Sequence, residues 1–133
     1  MARTKLIYYL DEDGTVPIIE WLCRLPRKAS AKCVVYLTRL EWEGHELRRP
    51  IADYLRDGIH ELRPSFAGVQ HRILYFFHGE DAVVVSHGLI KEREVPAEIE
   101  RAIERMKRFR SNPAGHTFIP AKGELGSGGK EKI

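Results

Sequence analysis

The sequence predicts an α+β domain with an N-terminal strand, a helical hairpin, a three-stranded antiparallel sheet and a C-terminal helix. Three observations carry this prediction. First, between Leu55 and Lys91 lie three strand-like runs, residues 59–63, 71–77 and 82–91. Their links, Ser65-Phe66-Ala67-Gly68 and His78-Gly79-Glu80-Asp81, are so short that the strands must be antiparallel neighbours. Second, Ala29, Cys33, Tyr36, Leu37 and Leu40 recur at helical spacing, the stripe of a helix lying on a sheet. Third, Ile99, Ala102, Ile103, Met106 and Phe109 form an apolar face opposite Glu100, Arg101, Glu104, Arg105, Lys107 and Arg108.

Taken in order, residues 5–10 are rich in β-branched and aromatic side chains and stop at the turn cluster Asp11-Glu12-Asp13-Gly14, which defines the first strand. Thr15 is expected to cap a short helix over 16–25, with Pro17 in its first turn. Pro26 breaks that helix and starts the next, expected over 28–43 and closed by Gly44. Two helices so closely linked make a hairpin on one face of the sheet. Residues 45–56 have weak periodicity and contain Pro50, so a loop is expected there. Along the second sheet strand Arg72, Leu74 and Phe76 alternate with Ile73, Tyr75 and Phe77. Both sets are largely apolar, which predicts the central strand. Pro96 opens the last helix and Asn112-Pro113 ends it. The tail 123–133, with Gly123, Gly126, Gly128 and Gly129, is expected to be disordered, leaving residues 1–122 as a single domain.

A chain of 133 residues suffices for one core. Its 43% hydrophobic and 31% charged residues exclude a disordered chain. No apolar run approaches the ~18 residues needed to cross a bilayer, and the N-terminal apolar stretch is too short for a signal peptide. A cytoplasmic location without a membrane partner is therefore expected. Cys23 and Cys33 fall in the predicted helices as free thiols, and neither CxxC nor HxxxH occurs, so no metal site or cofactor is expected. The net charge of +3 does not by itself call for nucleic acid. The last segment is more basic: Arg105, Lys107, Arg108, Arg110, Lys122, Lys130 and Lys132 oppose only Glu104, Glu124 and Glu131. Such an excess favours an anionic partner.

The chemistry centres on two arginines in an apolar sheet. Arg63 lies in Glu61-Leu62-Arg63, and alternation puts Glu61 and Arg63 on one face, expected to be the open side if Leu62 faces the helices. Arg72 can join them from the neighbouring strand, since cross-strand neighbours are about 5 Å apart. The guanidinium fork suits phosphate or carboxylate. A surface ion pair of Glu61 with either arginine is the plainer alternative. Lys91 and Arg93 follow the third strand and would add positive charge, beside His87 at its end. His116 lies close enough after the last helix to fold back on the sheet. Metal-free RNA cleavage needs a base for the 2′-OH, cations for the charge on phosphorus and an acid for the 5′ oxygen. Glu61 or a histidine could be the base, Arg63, Arg72 and Lys91 the clamp, and His116 or His87 the acid.

In Asp57-Gly58-Ile59-His60-Glu61-Leu62-Arg63, in Arg72-Ile73-Leu74-Tyr75-Phe76 and in His87-Gly88-Leu89-Ile90-Lys91-Glu92-Arg93-Glu94-Val95-Pro96, the chain resembles RelE/HigB-type toxins of bacterial type II toxin–antitoxin pairs, in their phage-derived HigB-like branch. Glu98-Ile99-Glu100-Arg101-Ala102 and the ending Asn112-Pro113 through His116-Thr117-Phe118 also fit that branch. The resemblance implies a RelE-like fold and a metal-independent endoribonuclease acting on mRNA in the ribosomal A site. It also implies neutralisation by a cognate helix-turn-helix antitoxin, with operator DNA contacted only through that partner. It makes Arg72 a catalytic phosphate contact, maps the arginine of Glu-Leu-Arg to Arg63, and maps the basic segment after the third strand to Lys91 and Arg93. Arg93, His87, Arg105 and Arg108 are the expected RNA-binding residues beside the catalytic set Arg72, Arg63, Lys91, Glu61 and His116. The chain departs from the pattern where Lys91-Glu92 replaces a double lysine, where Ile59 and Glu61 replace strand lysines, and where Ile99 stands for a tyrosine. The rival readings are a ParE-like poison of DNA gyrase and an inactive phage-derived binding module.

Overall fold

The computed structural model describes residues 4–90 and 95–120. Lys91, Arg93 and the glycine-rich tail lie outside the described residues. Strand β1 (Lys5–Tyr9) leads through the Asp11–Gly14 turn into helix α1 (Pro17–Arg24) and helix α2 (Arg27–Glu43). The cap of α1 is Val16, not Thr15. Thr15 is used by the turn instead, its N–H and hydroxyl both donating to the Asp13 carboxylate at 3.0 and 2.7 Å. Gly44 ends α2 as expected, at φ +49. A Cβ there would collide with the Thr4 side chain.

Of residues 45–56, expected as a loop, 47–51 with Pro50 is one, but the rest is not. After a 3-10 turn at Gly44–Glu46 comes strand β2 (Ala52–Arg56), paired antiparallel with β3 (Ile59–Leu62). Asp57 and Gly58 are the hairpin turn between them, both with positive φ (+53 and +88), as a two-residue turn matching the twist of its strands requires. The link 65–68 is itself a small hairpin: β4 (Ser65–Phe66) returns onto β5 (Val69–His78). Strand β6 (Ala82–Ile90), helix α3 (Val95–Ser111) and β7 (Thr117–Phe118) complete the described chain.

The sheet is wider than the three strands the sequence announced. Its order is β2-β3-β5-β6-β1-β7, with β4 paired to β5 alone. The β3, β5 and β6 neighbours are antiparallel as expected, while β1 runs parallel to β6 and joins Lys5 to Ala82. Both faces are covered. Leu6, Tyr8, Leu62, Ile73, Tyr75, Val83 and Val85 pack beneath α1 and α2 through Ile18, Trp21, Leu22, Cys33, Leu37 and Leu40. Ile7, Tyr9, Ile59, Leu74, Phe76 and Val84 meet Ile99, Ala102, Met106 and Phe109 of α3 on the other face. The near-continuous apolar run of β5 follows from this, since a strand buried on both sides has no polar row.

One irregularity positions the site. Leu74 pairs with His87 but Tyr75 pairs with Val85, so Ser86 is an extra residue in β6. This β-bulge resets the alternation. His87 thereby joins Leu74 on the α3 face, and Gly88 joins Ile73 on the hairpin face, where the Trp21 ring lies directly against it and leaves no room for a Cβ.

Candidate functional site

Arg63 and Arg72 meet at the end of the sheet. Leu62 is opposite Ile73, so the next residue of each chain places the two arginines side by side. The face they share is not open, contrary to the sequence expectation for Glu61. Glu61 is 5% exposed, because α3 covers the sheet behind Ile59 and Leu74. Arg72 is buried too, at 3%. Its Nη1 donates to the His71 carbonyl at 2.9 Å and its Nη2 to Gln70 Oε1 at 2.8 Å. Its Nε lies 3.5 Å from Glu61 Oε1, too poorly aligned for a hydrogen bond. Burial draws the Arg72 guanidinium below the usual arginine value; the Glu61 charge works against this and Arg63 adds to it.

Arg63 is the member of the pair that solvent reaches, with about a third of its side chain exposed. Its Nη1 is 3.6 Å from Asp53 Oδ2 and 3.9 Å from Glu61 Oε2. Asp53, opposite Glu61 on β2, also takes Arg49 at 3.0 Å. The cluster is thus an alternation of two sheet arginines and two carboxylates. Its chemical capacity is to hold one anionic group at Arg63, with Arg72 fixed behind it as a second positive charge.

On the same face, one strand further, the bulge presents His87 to α3. Arg105 Nη1 lies 3.0 Å from His87 Nδ1, and Glu98 Oε1 lies 2.9 Å from Nε2. A guanidinium only donates, so Nδ1 accepts and the ring proton sits on Nε2, donated to Glu98. Ser86 Oγ is also 2.7 Å from Nδ1. Burial first, and then the Arg105 charge, push the His87 value down to about 4 against the pull of Glu98. At neutral pH the ring is uncharged with both nitrogens engaged, so it is not a ready proton donor.

His116 stands apart from the arginine pair. It lies just before β7, three strand intervals from β5, or about 14 Å at the usual spacing. There its Nδ1 donates to the Leu10 carbonyl at 2.8 Å, and its ring stacks on Tyr9 at 5.0 Å. Arg108 is 3.3 Å from Glu104 and reaches back to the Tyr9 hydroxyl. The structure therefore brings Arg63, Arg72 and Glu61 together, sets His87 and Arg105 beside them, and leaves His116 and Arg108 at the other edge. Sequence reasoning missed Asp53, Gln70, Glu98 and Tyr9. Recognising Asp57-Gly58 as a hairpin turn would have found Asp53 opposite Glu61; only the tertiary fold reveals Glu98. Among the described residues no group of three or more His, Cys, Asp or Glu is placed to hold a metal ion, and no helix is long and apolar enough to cross a membrane.

Comparison with known proteins agrees with this geometry at the level of family. A search of the curated proteins finds no match. The family model described as Phage derived protein Gp49-like (DUF891) matches residues 20–107. That range contains both sheet arginines, Glu61, His87 and Arg105, and ends before Arg108 and His116. About two thirds of the chain, with β3, β5, β6 and most of α3, carries the pattern of this RelE/HigB-like, toxin-related family, and the protein belongs to the phage-derived Gp49-like family.

Proposed function

We propose that this protein is the toxin of a type II toxin–antitoxin pair, acting in the cytoplasm as a metal-independent endoribonuclease on ribosome-bound mRNA. The single observation that carries the reading is the side-by-side placement of Arg63 and Arg72 at the end of the sheet, one reachable from solvent and one fixed beneath it. In the proposed reaction the 2′-oxygen attacks the adjacent phosphorus, the 5′-oxygen leaves, and the products are a 2′,3′-cyclic phosphate and a 5′-hydroxyl. Arg63 contacts the phosphate as negative charge builds on its oxygens, and Arg72 supports that charge from below. Lys91 and Arg93, which follow β6 directly in the chain, extend the clamp. A cognate helix-turn-helix antitoxin would neutralise it by covering this end of the sheet.

A specific observation favours a second reading, a catalytically silent binding module of the same family. Glu61 and Asp53 offset both arginines, and His87 is neutral and locked between Arg105 and Glu98. Expression without an antitoxin separates the two. The nuclease reading expects growth arrest with new 5′-hydroxyl ends in mRNA, and a loss of cleavage on the order of 100-fold in Arg63→Ala. Arrest with intact mRNA that persists in Arg63→Ala would refute it, and an SOS response in that setting would favour gyrase poisoning. The absence of any arrest would favour the silent module.

A further inference from the structure

Between Glu20 and Glu41 the chain holds Arg24, Arg27, Lys28, Lys32 and Arg39 and no carboxylate side chain. The whole protein carries only +3, so the rest of the chain is net negative. Arg39 is paired with Glu43. The other four have no carboxylate within 4 Å among the described residues. They gather at the turn of the helical hairpin: Arg24 ends α1, Arg27 and Lys28 open α2, and Lys32 follows one turn later. Arg24, Arg27 and Lys28 are exposed and Lys32 is half-buried.

This placement works against the helix. A helix is partly positive at its N-terminal end and partly negative at its C-terminal end, so acids suit the first turn and bases the last. α1 and α3 follow the rule, with Glu20 and Glu98 in their first turns and Arg24, Arg108 and Arg110 in their last. α2 inverts it: Arg27 and Lys28 open the helix, and Glu41 and Glu43 close it. Its cap, Pro26, supplies no side-chain hydrogen bond. Packing of Ala29, Cys33, Leu37 and Leu40 holds α2 in spite of these charges. Cations kept where they weaken their own helix point to a use outside the fold. The hairpin turn also overhangs the arginine end of the sheet. Lys32 Nζ donates at 2.9 Å to the carbonyl of Ser65, two residues after Arg63. Trp21 lies against Gly88 and meets His71, the neighbour of Arg72, edge-on at 6.0 Å. The other end of α2 is at the opposite end of the sheet, where the Glu41 carbonyl accepts from the Thr4 N–H at 2.9 Å, next to the Lys5–Ala82 pair.

We propose that the turn of the helical hairpin, through Arg24, Arg27, Lys28 and Lys32, docks the phosphate backbone of an RNA outside the segment held at Arg63. This rests on RNA as the partner, as in the function proposed above, but not on its cleavage. Four cations without counter-charges match a polyanion. No large apolar side chain is exposed between residues 24 and 32 to insert into a bilayer. Continuity with Arg63, through Ser65 and Lys32, favours RNA over an acidic protein segment. Lysine and arginine side chains with no exposed aromatic ring among them contact phosphates and not bases, so the docking is indifferent to sequence.

The test is fluorescence anisotropy of a 2′-O-methyl RNA of about 20 nucleotides, titrated with protein at several salt concentrations. Such an RNA lacks the attacking hydroxyl and stays intact. The double variant Arg27→Gln, Lys28→Gln should bind about tenfold more weakly at low salt. Its log affinity should be less steep in log salt by about 1.4, the loss of two phosphate contacts. It should melt at or above the wild-type temperature, because the first turn of α2 has lost two unfavourable charges, so weaker binding is not unfolding. Arg39→Glu changes the net charge equally, toward the far end of α2, and should bind as wild type does. Equal weakening by Arg39→Glu would reduce the effect to net charge and overturn the proposal. Unchanged affinity in the double variant would do the same, as would a wild type that binds poly-glutamate and not RNA. Cleavage of unmodified RNA is read separately: if wild type cleaves none while binding still depends on Arg27 and Lys28, the nuclease reading falls and the docking surface stands.

Discussion

Whether Arg72 is a working residue or a structural one depends on its pairing with Glu61, and a double-mutant cycle measures that pairing. At 3.5 Å and an effective dielectric of about 20, two unit charges attract by about 5 kcal/mol, before the cost of removing both from water. Arg63 also holds Glu61, at 3.9 Å, but its partial exposure screens that contribution. The geometry therefore predicts an asymmetric cycle. Glu61→Gln leaves the buried Arg72 without its counter-charge and should cost about 3–5 kcal/mol. Arg72→Met leaves Glu61 still paired with Arg63 and should cost only about 1–2 kcal/mol. The double variant should be no less stable than Glu61→Gln alone, a coupling of about 2 kcal/mol. Urea unfolding followed by circular dichroism reads this directly: with a slope near 1.5 kcal/mol/M, 3 kcal/mol moves the midpoint by about 2 M. Additivity of the two substitutions within about 0.5 kcal/mol would refute the pairing. A folded Arg72→Met protein that has lost mRNA cleavage would then assign Arg72 to the chemistry, because its stability is accounted for separately.

Three further outcomes are expected. His87 is held near 4 when folded against 6.5 when free, so between those values the unfolded chain binds the extra proton and stability rises with pH. The gain is at most about 3 kcal/mol, and His87→Gln should flatten the unfolding free energy measured from pH 4.5 to 7; an unchanged slope would contradict the buried neutral ring. Gly88→Ala forces the Trp21 ring off its seat and should cost about 2–3 kcal/mol, with a red shift in tryptophan fluorescence that a tolerated methyl would not produce. Burial pushes the Cys33 thiol up to about 12 while Cys23 is exposed; the native protein should titrate one thiol with Ellman's reagent and the unfolded protein two, and two fast thiols in the native state would be inconsistent with this core.

Periodicity made the helices and the core of the sheet legible. Ile99, Ala102, Met106 and Phe109 had to be buried, and the split of Ile73, Tyr75 and Phe77 from Leu74 and Phe76 is the split between the two packed faces. Strand β2 escaped because an edge strand has little to alternate: only Ala52 is buried, and Tyr54 is 55% exposed. The helix α3 stripe was read, but not the face it covers, so Glu61 was expected in the open and is buried. His87 depended on a bulge that no alternation rule can place. The arginine pair followed from strand spacing alone; Asp53 and Glu98, which temper its charge and that of its neighbours, come from elements whose docking is set by long-range packing.

The parallel seam between β1 and β6 has a consequence for the order in which the molecule is made. β1 leaves the ribosome long before its partner, and its other neighbour, β7, comes later still. Until Ala82–Ile90 has been synthesised, Leu6, Ile7, Tyr8 and Tyr9 have no sheet to enter. Tyr9 and the Leu10 carbonyl wait for His116 in the same way. Closure of these distant pairs is slow compared with local hairpins, so the arginine-bearing hairpins can form early while the layer that clamps them together arrives last. A protein whose proposed target is the translating ribosome thus completes this sheet only after β6 and β7 have themselves been translated.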